Sequence, residues 1–470
     1  MELRDGWRAA PADDHLRRAY PVPEFNDQGW EPIRVPAHWR STPAFASLDG
    51  PLLHRIHFDA PRPAEGRRSW LVFDGVFYQA DVWLDGSYVG DPEGYFFPHA
   101  YEVTSDLGER DEHLLAVELT CSRPLDRTAK RNLTGLFQHG DSLDPAWNPG
   151  GLWRPVHIEE TGPVRISRMR VLCPEASEER AVLAVRVLLD AAEATTVRIR
   201  TAIAGVVEHH QVQPVAAGEN RLEWEVFVEQ PSLWWPHALG SQPLHDVEVD
   251  VRCGDELSDR STVITGLRQV RLERWILSVN SERMFLKGAS QGPARMDLAE
   301  ATPADLDADV ALARNAGLDL LRVKGHISRP ELYEAADRQG MLVWQDLPLQ
   351  WGYVRGVRKQ AARQAREAVD LLGHHPSIAV WCGHNDPFRI DIPPGESATI
   401  LSREFRRRYA TQQMLPSWNK TILDRSIRRA LDHSDHSRPA VPHSGVLPGP
   451  FSGGTDSHLS FGWHHGAERD

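Results

Sequence analysis

The chain has 470 residues, which at roughly 100–200 residues per domain sets an expectation of about three domains. A formal charge of −13 and a pI near 5.9 leave no basic face to neutralise phosphates, so nucleic acid is a poor partner. No apolar run reaches the roughly 20 residues of a membrane span, which excludes a membrane partner of the helical kind. Met1 to Trp7 are charged and lack the apolar stretch of a secretory leader. Cys121, Cys173, Cys253 and Cys382 stand far apart without a CxxC pair, which argues against a zinc site and a disulfide scaffold. A cytoplasmic chain with no metal and no cofactor is expected.

Residues 1–160 carry β signals. Leu71-Val72-Phe73 and Ala80 to Leu84 are short runs of β-branched and aromatic residues, and Asp85-Gly86 after the second is a two-residue hairpin signal. Leu114 to Thr120 alternates with period two. A jelly-roll β-sandwich is predicted, closing near Asn148 to Val156. Residues 161–266 stay β but with the strand spacing of an immunoglobulin-like sandwich. Val182 to Leu189, Val197 to Arg200 and the alternating Val247, Val249 and Val251 are its strands, and Trp234-Trp235-Pro236 a packed corner. The sixteen Trp fit either sandwich cores or sugar-stacking platforms.

Over 267–470 the period changes. Met284 to Gly288 is predicted as a strand, and Thr302-Pro303-Ala304-Asp305 opens a helix with an N-cap, a first-turn Pro and an acid. Leu318–Val323, Met341–Gln345, Ser377–Cys382 and Ala440–Val441 follow as strands, with helices between them ending at Gly317 and Gly340 or marked by Ala361, Ala365, Ala368 and Leu372. Alternating strands and helices mean a parallel sheet, and five strands make an incomplete (β/α)8 TIM barrel. In such barrels reactive groups stand at the carboxyl ends of strands. Those ends hold Arg322 with His326, then Asp346, then Asn385 with Asp386. Each also has a structural reading: Arg322 bound to a carbonyl or a neighbouring acid, Asp346 capping a turn, His326 a loop residue without duty.

These stretches resemble glycoside hydrolase family 2, in its β-mannosidase and exo-β-glucosaminidase branch. The resemblance rests on Phe285 to Gly288, Leu321 to His326, Glu331 to Asp337, Gly340 to Pro348 and His375 to Asp386, with Asn148 to Val156 and Leu233 to Pro236 upstream. It implies a retaining exo-β-glycosidase acting on a β-linked saccharide through two carboxylates about 5–5.5 Å apart. Asp386 falls at the acid/base position, where the family normally has Glu. The resemblance further implies that Asn385 contacts the substrate 2-hydroxyl, that Asp346, Trp351, Arg322 and His326 bind the sugar with Trp381 beneath it, and that Trp463 is a late pocket tryptophan. Asp144 and Trp147 would reach the rim.

The family's nucleophile is a Glu on a later barrel strand, and no acid after Asp386 lies in a matching motif, so the nucleophile is unassigned. Three readings follow: an enzyme completed by a separate C-terminal half-barrel chain, a non-catalytic carbohydrate-binding remnant or pseudoenzyme, and a self-sufficient hydrolase using an acid such as Asp456.

Overall fold

A computed structural model describes residues 1–122, 130–138, 147–205, 207–388, 407, 411–448 and 458. In the first part, Glu31–Pro32, Arg8–Pro11, Leu52–Asp59, Glu112–Thr120, Gln79–Leu84 and Ser87–Gly90 pair in that order into a six-stranded antiparallel sheet. His99–Glu102, Arg68–Phe73 and Val156–Thr161 form a second sheet of three. Along Gln79–Leu84, Ala80, Val82 and Leu84 are buried while Gln79 and Asp81 face solvent, the alternation of a half-buried strand. Asp85 and Gly86 make the hairpin turn with φ of +51° and +87°, a geometry Asp tolerates and Gly adopts freely.

The next part places three strands, Val164–Ala176, Arg180–Ala191 and Gly218–Glu229, against four, Val207–Val215, Thr195–Ile203, His245–Cys253 and Glu256–Thr265. Val247, Val249 and Val251 point into the core the two sheets share with Val185 and Val187. The Trp234 corner reaches further than a sandwich core. Its indole N–H donates to the Asp337 carbonyl at 2.9 Å, which ties the sandwich to the following unit. Trp7, Trp39, Trp153, Trp234 and Trp381 are all fully buried, so these five serve as packing.

An antiparallel hairpin sheet, Val270–Glu273, Ile276–Val279 and Glu282–Met284, precedes five parallel strands in sequential order. We label these β1 (Gly288–Gln291), β2 (Leu320–Val323), β3 (Leu342–Asp346), β4 (Ile378–Cys382) and β5 (Ala440–Val441). The helices are α1 (Pro303–Asn315), α2 (Pro330–Gln339), α3 (Arg358–Leu372) and α4 (Asp424–Ser434). The strand expected over Met284 to Gly288 is corrected here. Met284 ends the hairpin, Phe285 is 89% exposed, and the parallel ladder begins at Gly288, paired with Leu320. Apolar content suggested a strand there, but register with β2 decides which residues pair. Helix α1 has the expected start, a capping box in which Thr302 accepts from the Asp305 amide and Asp305 from the Thr302 amide. Gly340 ends α2 at φ +70°.

The sheet has two unlike faces. Leu321, Val323, Val343 and Trp381 pack on α1–α4 through Leu306, Val310, Leu332, Ala365 and Ile427. Leu320, Leu342, Val380, Cys382 and Val441 face the other way, onto the hairpin residues Val270, Leu277 and Val279. Beyond these apolar contacts, the described residues at the carboxyl end of that second face include the polar Arg322 and Asp346.

The earlier parts hold this unit by buried polar contacts. Arg268 donates to the carbonyls of Pro376 and Ile378 at 3.1 and 3.0 Å. Arg170 and Arg186 donate to Asp370 of α3 at 2.6 and 2.8 Å. The Tyr95 hydroxyl donates to the Ile327 carbonyl at 3.0 Å, in the loop after β2. Among the described residues no helix is long and apolar enough to cross a membrane.

Candidate active site

Period-two alternation puts Arg322 of β2 and Trp344 and Asp346 of β3 on the hairpin face, at its carboxyl end. The guanidinium of Arg322 grips Asp346: Nη2 donates to Oδ2 at 2.7 Å, and Nε lies 3.2 Å from both oxygens. Asp346 is fully buried and also accepts from the Gly325 amide and the Trp344 indole, each at 3.0 Å. Burial alone would pull the Arg322 guanidinium down; the Asp346 charge and hydrogen bonds outweigh it and hold it above its ordinary value. Arg322 Nη2 donates in addition to Asn385 Oδ1 at 2.6 Å. This fixes the Asn385 amide so that Nδ2 donates to Gln350 and, at 3.1 Å, to Asp386 Oδ2.

Asn385 and Asp386 lie in a short parallel ladder beyond the strand ends. Asn385 bridges Gln350 and Ser444, and the Asp386 amide donates to the Ser444 carbonyl at 3.0 Å. Asp386 holds a left-handed φ of +48° and Trp351 one of +62°, conformations uncommon outside glycine. Behind this ladder Asp424 of α4 bridges His384 and His443 at 2.8 and 2.9 Å, fixing both loops. In front of it, His458 Nδ1 lies 2.9 Å from Asp386 Oδ1. Burial pushes the Asp386 carboxyl up, but the hydrogen bond from His458 and the nearby Lys324 and Arg322 charges pull it down, and the carboxyl sits below its ordinary range. Asp386 is therefore a carboxylate at neutral pH.

Arg322, Asp346, Asn385 and Asp386, singled out from the sequence, thus come together in one hydrogen-bonded cluster. Trp351 joins its edge through its backbone, with its amide 3.3 Å from the Asn385 carbonyl. Trp381 does not join it, and its expected place beneath the sugar is corrected. It pairs with Gln345 on the helix-facing side of the sheet, and its indole donates to Asp435 at 2.8 Å. A residue one step from the Cys382 side of the strand must point to the opposite layer. His326 also stands apart, buried edge-on to Phe137 with Nδ1 2.9 Å from the Lys324 carbonyl. Trp147 lines a different cavity, of about 450 Å³, with Arg34, Arg40, Arg295, Asp297 and Glu300. Trp463, Asp144 and Asp456 lie outside the described residues.

His326 has a measurable consequence together with His38 and His54. Burial pulls all three from 6.5 to about 4, against the opposing pull of nearby backbone carbonyls. Their folded values lie below the unfolded ones, so the unfolded chain binds more protons between about pH 6.5 and about pH 4. Their contribution to stability is complete above that window and is lost as pH falls through it. Urea midpoints should decline steadily across it, and a flat profile would contradict neutral burial of these imidazoles.

Sequence reasoning missed Ser444, His458, Gln350 and Lys130. Lys130 donates to the Gln350 carbonyl and lies 4.7 Å from the Tyr353 ring centroid. Lysine is used only five times in the chain, so an isolated Lys was a signal of a kind. Ser444 lies just past β5, where the strand-end rule would have pointed had it been extended to the fifth strand.

Two family descriptions match the chain: "Glycosyl hydrolase 2 galactose-binding domain-like" over residues 52–144 and "Glycosyl hydrolases family 2" over 164–268. Among curated proteins, beta-mannosidase B of Thermothelomyces thermophilus is 26% identical over 443 residues, covering 86% of this chain and 50% of that one. Beta-mannosidase B of Aspergillus flavus is 25% identical, covering 90% and 56%. The chain thus spans about half the length of the curated relatives it matches. Among solved structures, the beta-D-mannosidase of Dictyoglomus thermophilum superposes with a TM-score of 0.78 at 19% identity, over 99% of this chain and 60% of that one. A putative beta-galactosidase from Bacteroides fragilis gives 0.74 at 20%, over 96% and 65%. These superpositions show a shared fold, and the two matched regions and the curated relatives show that the chain is similar to glycoside hydrolase family 2 proteins and is β-mannosidase-like in sequence.

Proposed function

We propose that the chain carries the sugar-binding and proton-donating side of a retaining exo-β-glycosidase site that accepts a β-mannoside. The observation that carries this reading is the hydrogen-bonded cluster of Arg322, Asp346, Asn385 and Asp386 at the carboxyl end of one sheet face. We take this sheet as part of a (β/α)8 barrel and residues 1–160, 161–266 and 267–470 as the three domains.

In the proposed reaction, Asp346 locks Arg322 through Nε and Nη2, and Arg322 in turn orients Asn385. Asn385 then addresses the 2-hydroxyl, a contact that strengthens as positive charge develops on the sugar ring. Asp386 gives a proton to the departing glycosidic oxygen and later takes one from water. The carboxylate that forms the glycosyl bond is not assigned to any residue of this chain. The curated relatives named above are beta-mannosidases, which supports mannose over other glycones.

Turnover of a panel of aryl β-glycosides tests this reading. The β-mannoside is expected to exceed the β-glucoside, β-galactoside and β-glucosaminide by at least about tenfold in kcat/KM. Preference for another glycone would contradict it, and so would no turnover of any of them once a polypeptide carrying the remaining barrel strands and the nucleophile is added. Binding of mannosides without turnover would support the non-catalytic, sugar-binding reading instead.

A further inference from the structure

Asp386 is one methylene shorter than the Glu that its position carries elsewhere in the family, yet it is held on both oxygens. Asn385 Nδ2 donates to Oδ2 at 3.1 Å, and His458 Nδ1 lies 2.9 Å from Oδ1. The other side of the His458 ring settles its tautomer. Arg322 Nη1 lies 2.7 Å from Nε2, and a guanidinium nitrogen can only donate. Nε2 therefore presents a lone pair, which the Ser444 hydroxyl also approaches at 2.9 Å. The ring proton must then sit on Nδ1 and point at Asp386.

We propose that His458 is a positioning residue of this site: a neutral imidazole, held at Nε2 by Arg322 and Ser444, whose Nδ1–H keeps the short Asp386 side chain in place as a carboxylate. This deepens the reading above, from which it takes Asp386 as the proton-carrying group.

The backbone is built for the contact. Gly445 has φ +82°, and a Cβ there would collide with Asp386 Oδ1 and lie 2.7 Å from His458 Nδ1. Any other residue at 445 would wedge the two side chains apart. The groups that shift the Asp386 carboxyl downward are His458, Arg322 of β2 and Lys324 in the loop after it. Arg322 is already committed to Asp346, so the His458 N–H is the neutral donor that meets Oδ1, as the Asn385 amide meets Oδ2. Removing that donor lets the carboxyl take up a proton more readily. A protonated Nε2 would set N–H against the N–H of Arg322, so the ring keeps its neutral form only while Arg322 stays in place.

The test is NMR on the full chain labelled with 15N in histidine and 13C in aspartate. In the unmodified protein, the His458 nitrogen shifts should report the Nδ1–H tautomer at neutral pH. The Asp386 titration should move to higher pH in His458→Ala and stay near its original position in His458→Asn, whose amide nitrogen can replace Nδ1 as a donor. A proton on Nε2, or an Asp386 titration unchanged in His458→Ala, would overturn the proposal. The tautomer is read without any substitution, so a variant that fails to fold does not remove the test. Neither readout uses turnover; a chain that hydrolyses nothing even with the remaining barrel strands and the nucleophile added would sink the glycosidase reading and leave this result standing.

Discussion

Replacing Asp386 with Ala is expected to lower kcat on a β-mannoside with a poor leaving group by about two to four orders of magnitude, the usual range for a general acid. The loss should shrink sharply on an activated aryl mannoside, whose leaving group departs without a proton. That contrast separates proton donation from a structural role, since a misfolded site would lose both substrates equally. The carboxyl of Asp386 is held below its ordinary range by His458, Lys324 and Arg322 against the push of burial. Its protonated form is therefore scarce at neutral pH, and kcat on the poor leaving group should rise as the pH is lowered toward that value. A variant retaining full activity on both substrates would remove Asp386 from the mechanism.

The second large effect is on stability. Arg322→Ala leaves Asp346 fully buried with the Gly325 amide, the Trp344 indole and the weakly donating Cys382 thiol among the described residues to solvate its charge. Breaking a buried pair on one side strands the remaining charge in a poorly polarisable setting and costs about 3–5 kcal/mol. Urea unfolding should show a loss of that size. Lys at 322 keeps the charge but cannot reproduce the two-nitrogen grip on Asp346, so it should recover only part of it. The double variant Arg322→Met with Asp346→Asn removes both charges and should be markedly more stable than Arg322→Ala alone. A single-variant loss within about 1 kcal/mol would show that the pair contributes little and that Asp346 is solvated in another way.

Much of this site was legible in the sequence for a simple reason. In β2, β3 and β4 the strand ends are marked by an apolar run with Arg322, Asp346 or Asn385-Asp386 within three residues of it, and the intervening helices carry their own stops at Gly317 and Gly340. Those signals are local. The face of each strand is not local information when both faces are buried: β4 reads Ile-Ala-Val-Trp-Cys without a polar side. Nothing in that run says that Cys382 turns toward Asp346 while Trp381 turns toward Asp435 and the helices.

His458 was hidden by a different limit. It lies 72 positions beyond Asp386 and meets it through a backbone approach that Gly445 permits, a contact that no periodicity announces. Asp456, two residues before it, drew attention instead because an acid looks like chemistry and a loop histidine does not. The first parallel strand was misplaced for a related reason. Met284-Phe285-Leu286 is apolar enough for a strand, but only the pairing of Gly288 with Leu320 sets where the parallel ladder starts.

A crystal structure of the chain with methyl β-D-mannoside bound tests the account most directly. The sugar is expected at the carboxyl ends of β2–β4, with a hydroxyl within about 2.7–3.2 Å of Asn385 and the glycosidic oxygen beside Asp386. A sugar seated elsewhere, for example in the cavity beside Trp147, with the Arg322 cluster untouched, would contradict it.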